Sequence, residues 1–207
     1  MSSNGSASDS AKIEVVRKPM VYAEPAVFNA VGMFKCKIER VGGLVEEFDV
    51  FNNITTPGRQ ALIAGIANTQ RNNVYAGSAG KTGMRFSTTA APAAGADGTK
   101  VSGFTSGANL AGSTDTVQSS SGPDDCWTRA TDADIFGTGF GSNADTLTSL
   151  AIKVAASGGS SGAMTSILLV DCTSTTAADA FVFAGAGITV TLSDGDTLEA
   201  TYTLTIT

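Results

Sequence analysis

The last twenty residues constrain the fold most. Residues 188–207 read ITVTLSDGDTLEATYTLTIT. Ile188, Val190 and Leu192 fall at even positions, and so do Leu198, Ala200, Tyr202, Leu204 and Ile206. Between them stand Thr, Ser, Asp, Glu and one Gly. Successive side chains of a strand point to opposite faces, so this pattern predicts two strands, each buried on one face. Ser193-Asp194-Gly195-Asp196 separates them. Gly195 tolerates positive φ and Asp194 can hydrogen-bond to its own backbone, which predicts a hairpin turn. The second strand is predicted to be a core strand that the rest of the domain packs against.

The same reading gives further strands. Residues 33–41 place Phe34, Cys36 and Ile38 on one face and Lys35, Lys37 and Glu39 on the other. Gly42-Gly43 then turns the chain into a second run, residues 44–51, and together these predict a hairpin. Short strands are predicted at 74–76, 84–87, 147–154, 164–171 and 180–184. Residues 156–162, ASGGSSG, read as a hairpin loop between two of them. One helix is predicted over roughly 57–67. Thr56 is placed as its N-cap and Pro57 at its first position, where a missing N–H costs nothing. Leu62, Ile63 and Ile66 supply its apolar stripe. Short strands, turn signals and one helix predict a mainly β protein, an antiparallel β-sandwich or jelly roll.

Residues 1–31 differ from the rest and are read as an extended N-terminal arm, with the β domain over 32–207. Ile13, Val15, Val16, Met20, Tyr22, Val27 and Phe28 are apolar, while Pro19 and Pro25 disfavour a helix or a central strand. An extended segment cannot bury its own side chains. It must lie on this domain or on a neighbouring subunit, and both remain open. Arg17 and Lys18 make the arm locally basic, suited to an acidic partner. The candidate subunit-binding residues are thus Ile13, Val15, Val16, Arg17, Met20, Tyr22, Val27 and Phe28.

Composition narrows the chemistry. Charged residues are 15% of the chain and the net charge is −6. Acidity opposes direct nucleic-acid binding, because phosphates repel it. No apolar run is long enough for a membrane-spanning helix. The N-terminus lacks the basic start and apolar core of a signal peptide, which predicts synthesis in a cytoplasm. The absence of histidine removes the commonest general base and a usual zinc ligand. Neither an enzyme nor a cofactor is expected. Cys36, Cys126 and Cys172 are odd in number and widely spaced, so free, buried thiols are expected. Asp124/Asp125, Asp132/Asp134 and Asp194/Asp196 read as turn caps, with calcium the sharper alternative. Lys153 is the nearest base in sequence to Ser157. Trp127 reads as core, with a sugar-stacking platform as its alternative. The small, polar stretch 88–122 reads as a long loop, functional or disordered.

Two segments resemble a known family. Phe48-Asp49-Val50-Phe51-Asn52-Asn53-Ile54-Thr55-Thr56-Pro57-Gly58 resembles the strand, Asn, apolar, Thr, Gly, helix opening of small β-rich virion proteins of tailed bacteriophages. The ending, Ser193 to Leu198 and then Tyr202 to Ile206, resembles the finish of the same proteins, and Trp127 falls near where a Trp follows their long variable loop. The resemblance covers about residues 33–207. It implies a structural part of a phage particle, assembled in the host cytoplasm. The first expectation is a capsid decoration, or cement, protein that docks on the shell through the arm and β domain. The alternatives are a tail, fibre or receptor-binding component, and then a carbohydrate-binding module. The expected partners are the major capsid protein or other virion proteins, and further copies of the chain in a dimer or trimer.

Overall fold

The computed structural model describes residues 30–59, 82–96, 100–107, 109–118, 126–130, 135, 146–172 and 181–206. Its strands are β1 (Ala30–Glu39), β2 (Val45–Phe51), β3 (Asn53–Ile54), β4 (Thr82–Ser87), β5 (Leu110–Gly112) and β6 (Thr116–Gln118). They continue with β7 (Trp127–Arg129), β8 (Thr146–Thr148), β9 (Ile152–Ala156), β10 (Met164–Asp171), β11 (Val182–Val190) and β12 (Thr197–Ile206). The first sheet has the order β2-β1-β12-β9-β5, with β8 also on β12. The second runs β3-β11-β10-β4-β7-β6. All of these pairings are antiparallel. The protein is a mainly β, antiparallel β-sandwich, as the strand pattern predicts.

The core lies where the two alternating faces meet. Phe34, Cys36 and Ile38 of β1 point inward, directly beside Tyr202, Ala200 and Leu198 of β12. The Phe34 and Tyr202 rings sit 4.9 Å apart and tilted. Across the sandwich they meet Met84, Phe86, Ile167, Leu169 and the small residues Ala184 and Ala186. β12 lies inside its sheet and shares a ten-pair ladder with β1. It is the core strand that its alternation predicts.

Two expected hairpins are something else. The runs on either side of Ser193-Asp196 do not pair: β11 belongs to the second sheet and β12 to the first. The same holds for residues 157–163, which carry the chain from β9 in the first sheet to β10 in the second. Both connections are arches across the core. Alternation specifies that a strand has one apolar face, but it does not name the strand's partner. Two strands can satisfy it by facing each other across the core as well as by lying side by side. The arches support one another. Ser161 N–H donates to Leu192 O at 2.9 Å, Leu192 N–H donates to Ser161 Oγ at 2.9 Å, and Gly158 N–H donates to Asp194 Oδ1 at 3.1 Å.

The β1–β2 hairpin forms as predicted, with positive φ at both Gly42 and Gly43. Ala30 and Val31, read with the arm, belong to β1. The predicted 147–154 strand divides into β8 and β9, and the predicted 180–184 strand begins at Val182 and extends to Val190. Residues 56–59 are helical, and the cap is Thr55 rather than Thr56. Thr55 Oγ1 accepts the Gly58 N–H at 3.2 Å and donates to Val182 O at 2.6 Å. Thr56 is occupied elsewhere, its hydroxyl donating to Gly95 O at 3.0 Å. The rest of the predicted helix and the predicted 74–76 strand lie outside the described residues.

The stretch 88–122 is not one long loop in its described part. It contributes β5 and β6, and it lays Val101 and Phe104 on the outer face of the second sheet. There they join Leu168, Val170, Val182, Cys126 and Cys172 in a second, smaller core. This explains why the central strand β10 is buried on both faces and reads as a continuous apolar run. Cys126 and Cys172 are joined in a disulfide, with Cα atoms 6.1 Å apart, so the expectation of three free thiols is corrected. Cys36 is free and buried. An odd count and an assumed reducing compartment cannot reveal that the ends of β7 and β10 meet.

Candidate interaction surface

The feature that stands out from the solvated surface is the β1–β2 hairpin. β2 is the end strand of its sheet, and its outer edge pairs with no other described strand. Its sequence, VEEFDVF, carries apolar residues at both parities. Phe48 and Val50 point inward as neighbours of Cys36 and Phe34. Val45 and Phe51 therefore point outward, and Phe51 is 73% exposed. Val41 and Leu44, in the turn, are 70% and 62% exposed. Edge strands are usually protected by charge or by a cover; β2 carries Glu46, Glu47 and Asp49, but its exposed Val45 and Phe51 stand beside them.

Beneath this edge the sandwich gapes. An open cleft of about 460 Å³ runs between Glu46, Phe48 and Val50 of β2 and residues 187–190 of β11. β3 covers β11 only at Ala184 and Gly185, so the rest of that strand lacks a β3 neighbour. Arg40 closes one end. Its Nε donates to Glu46 Oε1 at 2.7 Å, and its Nη1 donates to Asp196 Oδ2 at 3.0 Å and to Thr191 O at 2.7 Å.

Asp196 is the fixed point of this corner. Its carboxylate accepts the N–H of Val41 and of Ser193, each at 2.8 Å. The Val41 N–H is the largest influence holding its pKa below the usual range; burial opposes it, and the Ser193 N–H and Arg40 add to it. Nearby, Glu39 is pulled down to about 2, first by a hydrogen bond from Lys37 and then by one from Lys153. Lys153 Nζ lies 2.9 Å from Glu39 Oε2. Lys153 is thus engaged with Glu39 on the outer face of the sheet.

The arm residues Ile13, Val15, Val16, Arg17, Met20, Tyr22, Val27 and Phe28 all lie outside the described residues. So do Asp124, Asp125, Asp132 and Asp134. Asp194 and Asp196 serve as caps of the arch, and no cluster of three metal-ligating side chains occurs among the described residues. Trp127 is buried in the main core, which withdraws the sugar-platform alternative. The sequence alone does not mark Val41, Leu44, Val45 and Phe51 as exposed. The signal it does carry is in β2, where Val45 and Phe51 break the alternation kept by Phe48 and Val50.

Local packing accounts for the segment that carries the family resemblance. Asn52 stands where the chain passes from one sheet to the other, and its Nδ2 donates to the Tyr202 hydroxyl at 3.3 Å. Asn53 Nδ2 donates to Pro92 O at 3.1 Å. A Cβ on Gly58 would collide with Phe183 O of β11, so the helix start lies hard against that strand.

No protein-family model matches this chain. No curated protein and no solved structure matches it.

Proposed function

We propose that this chain is a structural protein of a tailed-phage virion, in the first place a capsid decoration protein that docks on the shell and stabilises it. The observation that carries the reading is the open edge of β2. It offers apolar side chains on both faces, beside a cleft. A strand edge of this kind suits permanent assembly better than free solution. The low charge content, 15% of the chain, favours the same conclusion, since burying hydroxyl and methyl groups against a neighbour costs less than burying charges. No catalytic step and no cofactor belong to this reading. Its partners are the major capsid protein, or another virion protein, and further copies of this chain in a dimer or trimer.

A tail or fibre component is the second reading, because an exposed apolar edge would serve assembly there equally well. Counting the protein in purified particles separates the two. Hundreds of copies per particle support decoration, and a few to a few dozen support the tail. Absence of the protein from purified particles would end both readings.

A further inference from the structure

We propose that the edge of β2, which pairs with no other described strand, receives residues 12–18 of a neighbouring copy as an added antiparallel strand. This rests on the reading of residues 1–31 as a subunit-binding arm, and it names the surface that the arm binds. Strand addition supplies main-chain hydrogen bonds to an open edge, and side-chain pairing then selects the partner.

The pairing is specific. Residues 12–18 read KIEVVRK, with Ile13, Val15 and Arg17 on one face. The cleft face of β2 presents Val50, Phe48 and Glu46 at the same spacing. One antiparallel register sets Ile13 beside Val50, Val15 beside Phe48 and Arg17 beside Glu46. Apolar and opposite-charge pairs directly across a ladder both stabilise it. The charges agree more broadly: the arm segment carries Lys12, Arg17 and Lys18 against one Glu14, while β2 carries Glu46, Glu47 and Asp49. In this register Glu14 faces Asp49, but Lys35 of β1 is the direct neighbour of Asp49 on its other side.

Two rival occupants fit less well. A second β2 edge, paired about Phe48, would set Glu47 against Asp49 twice, against the single Glu14–Asp49 pair of the arm register, and would offer no cation; like charges opposite each other destabilise a ladder. The arm of the same copy meets a topological obstacle. Antiparallel to β2 means parallel to β1, so residues 19–29 would have to form a crossover back to Ala30. Such connections need about a dozen residues or more, and this one holds Pro19 and Pro25. A neighbouring copy has no such constraint.

The test is a cross-link between full-length chains. In the proposed register Val16 faces Glu47, and Glu47 is exposed. A concentrated mixture of Val16→Cys and Glu47→Cys proteins is oxidised, and the linked peptides are identified by mass spectrometry. A 16–47 link joining two chains is expected, and Arg17→Glu in the first protein should reduce its yield at least tenfold. No 16–47 link in the mixture, or a link formed only within one chain of the double variant, would overturn the proposal. The experiment uses no particles. A cross-link with no protein on particles refutes the virion reading and leaves the strand exchange standing, and the reverse pattern does the opposite.

Discussion

Arg40 Nη1 lies 3.0 Å from Asp196 Oδ2, and this contact joins the turn between β1 and β2 to the arch between β11 and β12. The two partners differ in exposure. The Asp196 side chain is 4% exposed and that of Arg40 25%. The carboxylate is therefore the anchored member and the guanidinium the lid above it. The pair positions the hairpin whose edge is left open, so it links the stability of the fold to the candidate interaction surface.

Asp196→Ala should destabilise the protein by about 2 to 3 kcal/mol, because the N–H groups of Val41 and Ser193 lose a charged acceptor. Arg40→Ala should cost less, since Asp196 keeps both backbone donors. Urea unfolding of the two variants compares them directly, and an equal or larger loss for Arg40→Ala would contradict this ranking.

Stability should fall in acid. Asp196 and Glu39 both have folded pKa values below their ordinary range, Glu39 at about 2. Unfolded carboxylates titrate near 4. Below about pH 5 the unfolded chain therefore binds protons that the folded chain refuses, and stability declines as pH falls towards the folded values. Above that window these two groups give a plateau. Denaturation midpoints measured from pH 7 down to pH 3 check this, and Asp196→Asn should flatten the slope.

Gly83 lies against the disulfide. A Cβ there would come within 2.5 Å of Cys172 Sγ, 2.6 Å of Trp127 O and 3.0 Å of Cys126 Sγ. Gly83→Ala should cost about 1 to 3 kcal/mol by overpacking. Replacing both cysteines by Ala should make the same substitution milder, because two of the three obstructing atoms are gone while Trp127 O remains. A double-mutant cycle on thermal or urea stability measures that coupling.

Thiol titration should find no reactive thiol in the native protein, one after denaturation without reductant, and three after reduction. The single thiol is Cys36, whose pKa is pushed up to about 12, mainly by burial and then by the charge of Asp49. Three thiols without reductant would remove the Cys126–Cys172 bridge.

Much of the sandwich is legible in the sequence because alternation is a local property. Phe34, Cys36 and Ile38, and Leu198 to Leu204, announce their inward faces without reference to any partner. Pairing is not local, and there the reading fails. Ser193-Asp194-Gly195-Asp196 has turn chemistry that serves an arch as well as a hairpin, so β11 and β12 cannot be assigned to different sheets from these residues. Val101 and Phe104 look isolated because their partners, Leu168 and Val170, are far away in the chain. The candidate surface is half legible: the odd-position Val45 and Phe51 mark a strand with two apolar faces, but only the sheet order shows that its edge is open.

The ladder between β1 and β12 has a consequence for how the protein is made. β1 belongs to the first part of the described chain and β12 to its last, yet each is the other's longest partner. Contacts between such distant segments slow folding, because a long loop must close before they stabilise anything. The nascent β1–β2 hairpin must therefore wait with the other edge of β1 unpaired until β12 has been synthesised. During that interval crowding of unfinished chains is the chief hazard, and slow, cool expression should raise the soluble yield more than any added ligand.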